Sequence, residues 1–216
     1  RFKSLPIFGM SFRLKRLLDT IASVLILIVI SPILLLIAIL IKRSSPGPIF
    51  YKQDRVGLKG RRFQVWKFRT MVENASELQT ELEAQNEVKG GVLFKIKADP
   101  RITKIGRFLR QYSLDELPQL INVLQGQMSL VGPRPLAIRD YELSIQDIDQ
   151  FSRDKFLRYE VLPGITGLWQ VKGRASIDSD EIFYWDLVYI LQWSLALDLK
   201  ILLETIKVVL FREGSY

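Results

Sequence analysis

The stretch RQYSLDELPQL, Arg110 to Leu120, sets Asp115 beside Glu116 in a chain of 216 residues that contains no histidine and no cysteine. Without those two residue types there is no imidazole base, no thiolate nucleophile, no disulfide and no zinc–sulfur site. Any catalysis must rest on carboxylates, Lys, Arg, Tyr, Ser or a hard cation held by oxygen. An ionised aspartate can attack phosphorus to form an acyl phosphate. Adjacent acids can also hold magnesium, which takes one or two carboxylates together with substrate phosphates. The neighbours are basic: Arg101, Lys104, Arg107 and Arg110 precede the pair, and Arg134 of GPRP follows it. Arginine forks pair bidentately with phosphate, so this shell points to phosphoryl chemistry rather than sugar hydrolysis. A purely local reading competes. Ser113 followed three residues later by Glu116 is a capping box, and Pro118 fits only the first turn of a helix. That would put both acids among the unpaired N–H groups of a helix start, whose dipole favours anions. From the residues alone both readings stay open.

What positions such a pair has to be read from the rest of the chain. With 48% hydrophobic residues, 216 residues suffice for one domain with a core and an attached membrane element. The formal net charge of +8 asks for an anionic partner, whether nucleic acid, phospholipid headgroups or a phosphorylated substrate. From Ile21 to Ile41 the chain carries no charge, about the length that spans a hydrocarbon core. Ser31-Pro32 falls at its midpoint, where proline removes a helical hydrogen bond and predicts a kink. Basic residues flank both ends (Arg13, Lys15 and Arg16 before, Lys42 and Arg43 after), whereas a spanning helix usually carries its positive excess on one side. A kinked span and a re-entrant helix-break-helix that returns to its own face are both consistent with this.

Beyond the apolar run, Pro46-Gly47-Pro48 is turn chemistry, Ile49–Gln53 is strand-like, and RRFQVWKFRTM alternates as a partner strand would. Glu73–Val88 is helical by propensity. A further helix is expected from Ser113 to about Leu124 and another from Arg139 to Phe156, with LPGITGLWQVKGR irregular between them and the end. Ile182–Leu210 is apolar but interrupted by charges, which predicts amphipathic helices rather than a second span. Trp185, Tyr189 and Trp193 suit either a headgroup-level surface or an ordinary core. The chain begins at Arg1 rather than Met, and is therefore open to being a piece of something longer.

The blocks GPIFYKQDRVG, FQVWKFRTM, FKIKADPRITKIGRFLR, SLDELPQLINVLQGQMSLVGPRP, YEVLPGITGLWQVKGR and WSLALDLKILLETIKVVLFREGSY, in this order, resemble the bacterial sugar transferase family. Its members are monotopic phosphoglycosyl transferases that start glycan assembly on a polyprenyl phosphate, and the resemblance covers about Phe12 to Tyr216. It implies an α/β (α+β), helix-rich fold: a compact catalytic domain, 46–216, on the cytoplasmic face of the bacterial inner membrane. The membrane-associated segment, 1–45, would hold a re-entrant helix at about 17–41 broken at Ser31-Pro32, with amphipathic interfacial helices elsewhere.

By the same resemblance Asp115 is the nucleophile and Glu116 its acidic partner, with magnesium bound through Asp115. The implied reaction passes hexose 1-phosphate, glucose or galactose, from a UDP-sugar to undecaprenyl phosphate. UMP is released and a sugar-phosphoryl-aspartate intervenes, as the first membrane step of exopolysaccharide, capsule or O-antigen synthesis. Arg110 is expected on the lipid phosphate. Lys67, Arg69 and Arg134 are expected on the diphosphate or uridine, with Arg174 a further candidate. Gln119 and Asn122 would either face the site or cross-link helices. The segment ASIDSDEIFYWDLVYILQ departs from the family pattern and leaves the sugar open. The partners implied are the UDP-sugar, undecaprenyl phosphate and inner-membrane phospholipid, not nucleic acid; a homodimer is left open. The alternative is a membrane-anchored basic scaffold for acidic lipid or nucleic acid, which would have no need of the two acids.

Overall fold

The computed structural model describes residues 7, 9–75, 77–78, 99–146, 156–172 and 179–211. Helix α1, Met10–Ser44, is followed by an antiparallel hairpin of strands β1, Phe50–Val56, and β2, Arg62–Phe68. Helix α2 is Lys104–Gln111, a 3-10 turn covers Leu114–Glu116, and helix α3 is Gln119–Leu124. Strands β3, Ser129–Val131, and β4, Leu136–Ala137, lead into α4, Ile138–Gln146. After a second 3-10 turn, Phe156–Tyr159, come strand β5, Gly164–Thr166, and helices α5, Leu168–Lys172, α6, Ser179–Leu191, and α7, Leu195–Phe211.

The hairpin follows from the alternation read in RRFQVWKFRTM. Its register sets Tyr51 opposite Lys67, Gln53 opposite Val65 and Arg55 opposite Phe63, so those six side chains share one face. Strand β4 adds antiparallel to β1, giving the order β2-β1-β4. A separate pair, β3 with β5, runs parallel. LPGITGLWQVK is therefore not irregular but carries β5 and α5; a three-residue strand is too short for periodicity to reveal. The main core joins Val65, Leu120, Val123, Met128, Val131, Tyr189, Ile190 and Ile201. Tyr189 and Trp193 are buried and Trp185 packs against them, which assigns these aromatics to the core rather than to a headgroup surface.

Helix α1 is anchored at both ends to the same body. Near its start Lys15 meets Asp198 of α7 at 2.5 Å, Arg16 donates to the carbonyls of Met128 and Val123, and Asp19 accepts from Ser129 at 2.6 Å. Near its end Ile37 and Ile41 pack on Phe68 and Leu109. Between these anchors most of the apolar side chains are exposed, Ile28 and Val29 at 65% and 75%, which makes the helix a membrane-anchor candidate by length and composition. The expected break at Ser31-Pro32 does not interrupt it: helical structure continues through Pro32. The reason is local. Pro32 cannot donate to the Ile28 carbonyl, and the Ser31 hydroxyl does so instead, at 2.8 Å. Helix α7 also carries an exposed apolar row of Leu195, Leu199, Leu203, Ile206 and Leu210, at the three-and-four spacing of a single face.

Candidate active site

The two carboxylates do not start a helix. Ser113 lies in the left-handed region, φ 54°, and its side chain makes no cap hydrogen bond, so the capping box is not formed. Asp115 and Glu116 instead occupy their own 3-10 turn, and α3 begins at Gln119 behind Pro118. The turn is held in place from both sides. On one side α2 is capped by Thr103, whose hydroxyl accepts from the Gly106 N–H, and sits so close to the end of β2 that a Cβ on Gly106 would lie 2.0 Å from the Thr70 oxygen. On the other, the buried Asn122 of α3 bridges to β2: its Oδ1 accepts from the Trp66 N–H at 3.0 Å and its Nδ2 donates to the Gln64 carbonyl at 2.7 Å. Of the two roles open to it, Asn122 takes the cross-linking one.

The acids are treated very differently by their surroundings. Glu116 receives Lys67 Nζ at 2.7 Å and the Arg134 fork at 2.6 and 3.2 Å, so both its oxygens are engaged. Burial works against its charge, but Arg134 and Lys67 outweigh it and hold the carboxyl well below the usual glutamate range. Asp115 is buried, with 9% of its surface exposed, yet accepts no hydrogen bond from any described residue. Burial pushes its pKa up to about 6 against the pull of Lys67, and the neighbouring Glu116 charge adds to the rise. At neutral pH it is ionised, poorly solvated and open on its oxygens, the condition of a carboxylate that can attack phosphorus or take a cation.

Of the basic residues expected here, Lys67 and Arg134 converge on Glu116. Arg110 donates to the Thr70 hydroxyl at 2.9 Å, feels Asp115 electrostatically, and makes no ion pair among the described residues. Gln119 is buried and lines a cleft with Arg55, Val65, Lys67, Arg134 and Pro135. Arg69 is spent elsewhere: its guanidinium donates to the carbonyls of Pro46 and, at 2.8 Å, Ser45, fastening the turn after α1. Strand β2 ends at Phe68, so Arg69 does not continue the Lys67 row. Arg174 lies outside the described residues. Arg55 was missed in the sequence, although strand alternation places it on the Lys67 face.

No group of three or more acidic residues suited to a metal occurs among the described residues. That suits magnesium better than a dedicated metal cage: with Glu116 covered, Asp115 offers one open carboxylate, to which substrate phosphates would add the rest.

The model of the family described as "Bacterial sugar transferase" matches residues 10–212. An undecaprenyl-phosphate galactose phosphotransferase of Salmonella typhimurium is 45% identical over 206 residues, 94% of this chain and 42% of that protein. A UDP-glucose:undecaprenyl-phosphate glucose-1-phosphate transferase of Klebsiella pneumoniae is 44% identical over 216 residues, 98% of this chain and 43% of that protein. The chain thus spans less than half the length of these relatives. It covers 90% of the exopolysaccharide production protein ExoY of Sinorhizobium fredii, with 40% identity over 214 residues. Matched along nearly its whole length, this chain belongs to the bacterial sugar transferase family.

Proposed function

We propose that the chain transfers hexose 1-phosphate, glucose or galactose, from a UDP-sugar to undecaprenyl phosphate by way of a covalent aspartyl intermediate. The observation that carries this is the asymmetry of the pair: Glu116 is fully engaged by Lys67 and Arg134, while Asp115 is buried, charged and without a hydrogen-bond donor among the described residues. A basic scaffold has no use for such an arrangement. In the first half-reaction an Asp115 oxygen attacks the sugar-bearing phosphorus. The bond from that phosphorus to the bridging oxygen breaks, and UMP leaves with the electron pair. In the second, an oxygen of polyprenyl phosphate attacks the same phosphorus and frees Asp115. Neither attack needs a strong base, which fits a chain without histidine. Bound magnesium would supply charge stabilisation on the transferring phosphoryl group, held through Asp115 and the substrate phosphates. Lys67 and Arg134, clamped on Glu116, keep a fixed positive field beside the nucleophile that needs no reorganisation during the reaction.

The two substrates come from different phases. Arg110 feels Asp115 electrostatically and makes no ion pair among the described residues, which leaves its guanidinium for the lipid phosphate. Both ends of α1 fasten to the same body and both are flanked by basic residues, which supports a helix seated on one face of the bilayer, the cytoplasmic face of the inner membrane, rather than one that crosses it. The exposed row on α7 lies in the interface. The test is UMP release from UDP-glucose and, separately, UDP-galactose, with undecaprenyl phosphate and magnesium in nanodiscs. Release that vanishes in Asp115→Asn is expected; wild-type activity in that variant refutes the mechanism.

A further inference from the structure

Arg55 is a half-buried cation whose hydrogen bonds go to neutral groups. Its Nη2 donates to Gln53 Oε1 at 2.7 Å and its Nη1 to the Pro135 carbonyl at 3.3 Å, and it has no ion pair among the described residues. It lines one cleft with Lys67, Gln119 and Arg134. Burial and the nearby Arg134 guanidinium bring its pKa down to about 10 against the pull of Asp140 and Glu116, so it stays protonated at neutral pH. In that cleft Lys67 and Arg134 are ion-paired to Glu116, while Arg55 feels Asp140 and Glu116 only at a distance and keeps its guanidinium for neutral acceptors. A bridging diphosphate esterified at both ends carries two negative charges. Arg110, by contrast, senses Asp115 rather than Glu116. Arg55 and Arg110, neither of which makes an ion pair among the described residues, thus feel different members of the acidic pair.

We propose that Arg55 binds the diphosphate of the sugar nucleotide, seating it on the Glu116 side of Asp115 and leaving the Arg110 side to the second phosphate. This deepens the transferase reading and rests on it. The Pro135 carbonyl bond places the Arg55 fork against the loop that carries Arg134, so one diphosphate can be held by both. Charge-assisted forks are the strong, directional contacts that such a ligand needs.

The test is binding of UDP and of uridine to the full chain in nanodiscs with magnesium, for wild type, Arg55→Gln, Arg55→Lys and the exposed control Arg107→Gln. Wild type and the control are expected to prefer UDP over uridine strongly. Arg55→Gln is expected to lose at least tenfold in UDP affinity, with uridine unchanged, and Arg55→Lys to keep part of the preference. A merely structural Arg55 would lower the melting temperature of the Gln variant yet leave the UDP-to-uridine ratio intact, and that result overturns the proposal. If wild type ignores UDP, the sugar-nucleotide reading falls and the Arg55 assignment with it. If wild type prefers UDP and Arg55→Gln prefers it as strongly, the assignment alone falls.

Discussion

Asp115 should cost the fold stability, and Asp115→Asn should show how much. The carboxyl has an unfolded pKa near 3.8 and a folded pKa of about 6, raised first by burial. A raised carboxyl pKa means that the native state binds the proton more tightly, so between about pH 4 and pH 6 stability falls as pH rises. At about 1.4 kcal/mol per unit, the two-unit rise corresponds to a penalty of about 3 kcal/mol above pH 7 and roughly half that at pH 5. The isosteric amide escapes it. Asp115→Asn should therefore melt higher than wild type at pH 8, by several degrees for a chain of this size, and the gap should narrow steadily towards pH 5. The assay is a thermal melt of both proteins in one nanodisc preparation from pH 5 to pH 8, without nucleotide, alongside UMP release at pH 8. A variant that melts lower than wild type, or by a margin that does not change with pH, would refute the claim that burial without donors sets the state of Asp115. A more stable and inactive variant is the signature of a charge kept for chemistry at the expense of the fold.

Glu116→Gln should destabilise by roughly 3 kcal/mol in chemical denaturation, because it strands Lys67 and Arg134 without their shared counter-charge. Arg110→Gln should leave the single-turnover burst of UMP near normal while raising the concentration of undecaprenyl phosphate needed for steady-state turnover; an equal loss in both would move Arg110 off the lipid side. Arg158 pairs with the buried Asp186 at 2.9 Å and also donates to the Arg134 carbonyl. Burial lifts Asp186 to about 6 even beside Arg158, so Arg158→Met should destabilise by about 3 kcal/mol at pH 8 and by less at pH 5, where Asp186 takes a proton instead. Melting curves at the two pH values check this. Ser31→Ala removes the donor to the Ile28 carbonyl and should lower the melting temperature by a few degrees in nanodiscs, as expected for one unmet carbonyl in an apolar setting.

How far the sequence reached depended on the range of the interaction involved. The β1–β2 hairpin was legible because alternation is a local signal, and the same alternation contains Arg55, though nothing in the linear chain says that Lys67 faces an acid. The acidic pair was legible as a pair. Its setting was not, since the capping box needs Ser113 in an extended conformation and the chain instead turns left-handed there to leave α2. Arg69 sits two residues beyond Lys67 and looks equivalent until β2 ends one residue earlier and the guanidinium turns to the carbonyls after α1. Strands β3 and β5 exist because Gly164 allows close backbone approach: a Cβ there would lie 2.1 Å from the Gly132 nitrogen. A pairing that depends on partners over thirty residues apart leaves no periodic trace.

The contact between Lys15 and Asp198 joins residues 183 positions apart. During synthesis Lys15 leaves the ribosome early, together with the apolar run that follows it, long before Asp198 has been made. Tyr189 and Trp193 also donate to Asp198, so this acid closes a polar knot whose other strands come from the last third of the chain. Until α7 is made, Lys15 has Asp19, one turn along its own helix at 3.7 Å, as a counter-charge, and the shorter pairing with Asp198 comes last. Truncation before Asp198 leaves that knot unable to close.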